Sequence, residues 1–139
     1  MQIGFMHISE FFKKPNLGLL IIRLVLGVTF FTHGLMKFIG GTAALEAVGS
    51  AMQSFGITAF PVFFGGIAAL CELVGGLLVL IGYKFRFGAF IVFLVMAVAT
   101  YTTFNGFGSF MKFAWALEMT AVFLGLIFIG PGKYSIDKD

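Results

Sequence analysis

VFFGGIAALCELVGGLLVLI, residues 62–81, decides the fold. Its 20 residues carry one charge, Glu72. A helix needs roughly 20 mostly apolar residues to cross a bilayer. Lipid cannot satisfy exposed backbone groups, so such a run is helical or part of a closed barrel. A barrel would alternate polar and apolar positions in segments of about ten, and this run does not alternate. Three more runs match it. With this one, the spans are Leu17–Phe38, Val62–Ile81, Phe87–Phe104 and Phe113–Ile129.

Composition agrees. Of 139 residues, 60% are apolar and 11% charged, against about 25% charged in a soluble domain. Mean hydropathy is +1.06. Disordered, collagenous, disulfide-built and cytosolic classes are excluded. The net charge of +3 does not mark a nucleic-acid binder, because the basic residues flank apolar runs. The single cysteine, Cys71, excludes the paired thiols of a disulfide relay. No small-residue cleavage site follows the first apolar run, so it reads as a span and not a signal peptide.

The expected fold is therefore an all-α membrane protein, one four-helix transmembrane domain over residues 1–139. Pro61 opens the second span, and Gly130-Pro131-Gly132 ends the fourth. A short turn at Tyr83–Arg86 makes spans two and three antiparallel neighbours. Lys13, Lys14, Lys84, Arg86, Lys133 and Lys138 lie on one side, Lys37 and Lys112 on the other. By the positive-inside rule both termini are cytoplasmic. Tyr101 and Trp115 then belong to an outer aromatic belt. Two amphipathic stripes are expected to lie on the membrane as interfacial helices: Phe5, Ile8, Phe11 and Phe12, and Leu45, Val48, Met52 and Phe55, the second capped by Thr42. Anchoring explains either stripe; the alternative is a lid over an outer site.

Arg23, His33, Glu72 and Glu118 lie inside the spans, and Lys37 at the end of the first. A charge at the bilayer centre costs at least about 2.5–3.5 kcal/mol. At 1.5 Å per residue, Arg23 is roughly 22 Å below Phe38, and His33 and Glu118 each about 7.5 Å from the outer ends of their spans. Glu72 falls near the midplane, within reach of a long Arg23 side chain. Arg23, Gly27, Phe30, Gly34 and Lys37 share one face of span one at about 100° per residue. The expectation is a charge-compensated core among spans one, two and four, with span three as filler. Plainer readings stay open: Arg23 snorkelling to headgroups, Lys37 marking the interface, His33 packing, Glu72 in a structural ion pair, Cys71 as a small buried hydrophobe.

An apolar pocket with a few convergent polar groups is the usual form of a small-molecule site. An amphipathic ligand such as a quinone suits it. Glu72, His33 and Glu118 are the candidate catalytic residues, for donating and relaying protons; Arg23, Lys37, Glu72 and His33 are the candidate ligand-binding set. Haem, metal and nucleotide sites are not expected, because no ligand set or phosphate loop is present.

Arg23-x3-Gly27-x2-Phe30-x2-His33-Gly34-x2-Lys37, then Glu72-Leu73-Val74-Gly75-Gly76, then Gly130-Pro131-Gly132-Lys133-Tyr134-Ser135-Ile136-Asp137 together resemble the DoxX family. The resemblance covers roughly residues 17–137. It implies a small four-helix protein of the bacterial cytoplasmic membrane. Its relatives include a subunit of a thiosulfate:quinone oxidoreductase and components of oxidative-stress complexes. It supplies no agreed catalytic residues. A quinone-linked redox subunit is the first functional expectation, with the bilayer, redox subunits or a second copy as partners and no nucleic acid. A non-enzymatic scaffold or chaperone is the alternative, and a small proton-coupled transporter the third.

Overall fold

The computed structural model describes residues 13–107 and 109–138. Among these residues the elements are helices, without a strand. Helix α1 spans Pro15–Ile39, α2 Gly41–Gly49, α3 Pro61–Ile81, α4 Phe85–Thr102 and α5 Phe110–Ile129. A 3-10 helix, Ser50–Phe55, continues α2, and a π turn, Thr103–Phe107, continues α4. Four of these rods are long and apolar enough to cross a membrane. The four spans read from sequence are all present, each extended or shifted by one to three residues. The stripe at Phe5–Phe12 and His7 lie outside the described residues.

Glycines set the helix spacing. On α1, a Cβ at Gly27 would sit 2.6 Å from Leu80, and one at Gly34 2.5 Å from the Ala69 carbonyl and the Leu73 nitrogen. Gly76 on α3 meets the Phe30–Phe31 backbone in the same way. Close backbone approach is how membrane helices gain contact, since lipid removes the hydrophobic drive between them. The contacts also fix the register. Gly27 lies level with Leu80 and Gly34 level with Leu73, so the two helices run antiparallel.

Gly75 on α3 abuts Gly88 and Val92 on α4, drawing those helices together near their connecting turn. The core above that turn holds Phe30, Val79, Phe85, Val92 and Phe123, all fully buried. Phe30 of α1 meets Phe123 of α5 edge-on, with ring centroids 4.8 Å apart.

The amphipathic segment after α1 forms the short helix expected of it, α2 with its 3-10 continuation, and packs on α3. It leaves α1 directly, and Thr42 does not cap it: the helix already begins at Gly41, whose φ of 68° makes the bend. A Cβ on Gly49 would run into the Pro61 carbonyl, and one on Gly65 into that of Leu45. The α2 backbone is thus seated on α3. Phe55, at the end of the 3-10 helix, stacks on Tyr101 of α4 at 4.6 Å. The segment spans the mouth between α3 and α4.

Candidate functional site

Arg23 and Glu72 are both about 1% exposed, but they do not meet. The register of α1 on α3 puts Glu72 level with Gly34–Leu35. Arg23 lies eleven residues from Gly34, roughly 16 Å down the helix. It points to the opposite end of the bundle. Its Nε donates to the Val79 carbonyl (3.2 Å) and Nη2 to that of Leu80 (3.3 Å), both in the last turn of α3. Its Nη1 donates to the carbonyls of Pro131 (3.0 Å) and Tyr134 (2.8 Å) in the C-terminal segment. Carbonyls at a helix end have no partner within the helix, and the planar guanidinium supplies several donors at once. The guanidinium also lies over the Phe85 ring, 5.7 Å from its centroid.

The same segment closes the α3–α4 turn. Asp137 accepts from the backbone nitrogens of Lys84 (3.1 Å) and Phe85 (2.8 Å), capping α4. Its own nitrogen donates to the Gly82 carbonyl at 2.8 Å. Gly82 has a φ of 69°, and a Cβ there would strike the Arg23 guanidinium. The Gly-Pro-Gly-Lys-Tyr-Ser-Ile-Asp motif and Arg23 form one latch, and the expected Arg23–Glu72 contact is replaced by it.

Glu72 instead pairs with Lys37, whose Nζ is 2.5 Å from Oε2. The side chains are 2% and 24% exposed respectively. Together with His33 they border a cavity of about 520 Å³. Phe64, Ile67, Ile91, Leu94 and Val95 make its walls apolar. Val48 and Met52 of the α2 segment close one side, which puts that segment in the place expected of a lid. Span three is not filler: Met96, Ala99 and Thr102 of α4 face the cavity. Their spacing of three residues, with a small and a hydroxyl-bearing side chain in a run rich in Phe and Val, was the available sign.

Glu118 is exposed on the outside of α5 and does not line the cavity. Depth alone put it beside His33; rotation takes it away. It lies about 160° around the helix from buried Ala116. Trp115, 41% exposed, reaches the cavity rim from this helix instead. Its ring is 5.9 Å from the His33 ring and 6.4 Å from Phe30. Trp115 and Cys71 border the cavity, whereas the sequence reading gave one to the aromatic belt and the other to packing. Of the five candidates, the fold gathers His33, Lys37 and Glu72, assigns Arg23 to the latch and turns Glu118 outward.

The DoxX family profile matches residues 18–106, which includes α1, α3, α4 and every cavity residue named except Trp115. The chain belongs to the DoxX family. It is 32% identical over 116 residues to "Putative oxidoreductase CatD" of Bacillus subtilis, covering 82% of this chain and 81% of that protein. It is 31% identical over 129 residues to the inner membrane protein YqjF of Escherichia coli, covering 91% and 94% respectively. An uncharacterized membrane protein of Mycobacterium tuberculosis is 29% identical over 138 residues. No solved structure matches the chain. The four apolar rods and these DoxX relatives make it a multi-pass membrane protein. The profile ends before the Gly130–Asp137 motif, so the matched residues hold Arg23 and the α3–α4 turn of the latch but not the segment that closes on them.

Proposed function

We propose that this DoxX protein is the membrane subunit of a quinone-linked redox system and that its cavity takes the ligand's ring. One observation carries the reading: an apolar cavity of about 520 Å³ is bordered by Lys37, Glu72 and His33, with Lys37 paired to Glu72 and about one helical turn from His33. That volume is within the usual range for small-molecule sites, about 300–1,000 Å³. A quinone is a flat apolar ring with carbonyl acceptors at its edge. Lys37 has three N–H donors and gives one to Glu72, leaving donors for a ring carbonyl. The name of the Bacillus subtilis relative points the same way. Under the positive-inside reading the latch faces the cytoplasm and the cavity occupies the outer half of the membrane.

The scaffold alternative draws on Arg23, whose every contact is explained by packing. It leaves the cavity without a purpose.

The chain has one tryptophan, Trp115, and it borders the cavity, so it reports on the site. Titrating tetramethylbenzoquinone into purified protein should quench its fluorescence saturably. Ala99→Phe, which fills the cavity, should remove the saturable phase. Quenching that is linear with concentration and identical in both proteins would refute the reading.

A further inference from the structure

The Glu72–Lys37 pair uses only half of the carboxylate. Oε2 holds Lys37, and no described residue donates a hydrogen bond to Oε1. The side chain is 98% buried by its 2% exposure and borders the cavity. Neither ring nitrogen of His33 is hydrogen-bonded to a described residue, and His33 borders the same space. A carboxylate oxygen without a protein donor on the wall of an apolar cavity is an acceptor open to whatever fills that cavity. The cavity wall therefore offers an acceptor, Oε1, on the same carboxylate that binds Lys37, whose other donors are spare.

We infer that the site recognises a hydroxyl-bearing ring, a hydroquinone in preference to its oxidised quinone, with Glu72 Oε1 accepting the ring hydroxyl. This rests on the quinone-linked reading above and specifies which form of the ligand the resting site binds. An oxidised quinone has acceptors only and leaves Oε1 without a donor. A hydroquinone hydroxyl donates to Oε1 and accepts from Lys37 with the same atom. Hydrogen bonds to charged groups are the stronger class. No electron transfer is needed for this preference; it is a matter of donors and acceptors in an apolar enclosure.

Three probes test it: tetramethylhydroquinone, its dimethyl ether and tetramethylbenzoquinone. The ether keeps both acceptor oxygens and replaces each O–H donor by a methyl group. Affinities are measured by equilibrium dialysis in detergent under argon. The wild type should bind the hydroquinone about tenfold more tightly than the ether, the expected effect of one charge-assisted hydrogen bond. In Lys37→Met/Glu72→Met, where both charges leave together and the fold is spared an unpaired one, that ratio should fall to near one. Comparing ratios between proteins cancels the ligands' different partition into detergent. A ratio unchanged in the double variant overturns the inference, as does one that persists there and disappears in His33→Leu, which would make the imidazole the acceptor. In both cases, loss of binding in Ala99→Phe keeps the cavity reading alive. Binding of all three probes that Ala99→Phe leaves unaltered overturns the inference and the cavity reading together.

Discussion

At the scale of single residues, a buried cation, Arg23, and a half-buried one, Lys37, find partners in different ways. Lys37 meets a carboxylate; Arg23 meets four carbonyl groups. The pair should behave as a coupled unit. Removing one partner strands a buried charge, whereas removing both does not. Lys37→Met is expected to cost about 3 kcal/mol of stability, and Lys37→Met/Glu72→Met to recover most of it. Unfolding midpoints of the single and double variants in detergent check this; equal losses in both would refute the coupling. Arg23 should not tolerate its closest charged substitute. A lysine ammonium is a single point on a flexible stem and cannot span carbonyls on two segments. Arg23→Lys is expected to lower stability by about 2 kcal/mol, the cost of charged hydrogen bonds left unmade. An unchanged midpoint would show that charge alone, and not the planar fork, holds the latch. Glu72 was legible as a residue with business in the membrane, because a lone carboxylate in a 20-residue apolar run demands a partner. Its partner was not. Depth along a helix follows from sequence, but which of two cations a carboxylate meets depends on helix register, and the register here is set by where Gly27 and Gly34 touch α3.

At the scale of elements, close-packed glycines govern how α1, α2 and α3 fit, and their positions separate two kinds of glycine that look alike in sequence. Gly34 has backbone atoms of α3 at 2.5 Å from a would-be Cβ; Gly18, on the same helix, has nothing within 4 Å. Gly34→Ala should force α1 from α3 at a cost of about 1–3 kcal/mol and disturb the Lys37–Glu72 pair one turn away. Gly18→Ala should be neutral or stabilising by up to about 1 kcal/mol, because alanine is the better helix former. Thermal unfolding of the two variants measures the contrast, and equal effects would refute glycine packing as the cause of the helix spacing. The spans themselves were readable because hydrophobic length and proline and glycine punctuation are local signals. The seat of α2 on α3 was not. An amphipathic stripe reads the same whether it lies against lipid headgroups or against the α3 backbone at Pro61 and Gly65, and only the close approaches at Gly49 and Gly65 separate the two. Glu118 faces outward for a related reason: a residue's level follows from sequence, but its rotation depends on which face of α5 packs inward, and here that face carries Ala116 and Phe123.

At the scale of the whole molecule, the C-terminal segment ties α1, α3 and α4 together at the end remote from the cavity. Arg23 of α1 holds Pro131 and Tyr134; Asp137 caps α4 and binds the Gly82 carbonyl after α3. Asn16 adds a third tie, accepting from the Lys133 nitrogen at 3.0 Å. Ser135 Oγ, between them, lies within hydrogen-bond distance of the Gly132 and Asp137 carbonyls, shares its one proton between them and keeps the segment folded. Arg23 and Asp137 do not bond each other, so simple pairwise reasoning would make their losses add. The latch reasoning says otherwise, since either loss frees the segment that the other holds. Asp137→Ala should cost about 1 kcal/mol as a lost cap, and Arg23→Leu more. The double variant should fall short of the sum by at least about 0.5 kcal/mol, beyond the spread found for independent sites. Quinone quenching of Trp115 should survive in all three proteins at temperatures where they remain folded, because the latch and the cavity occupy opposite ends of α1 and α3. Additive losses would mean that Arg23 and Asp137 fix the helices separately. Loss of quenching in a folded Asp137→Ala protein would mean instead that the latch end controls how far α3 and α4 spread around the ligand.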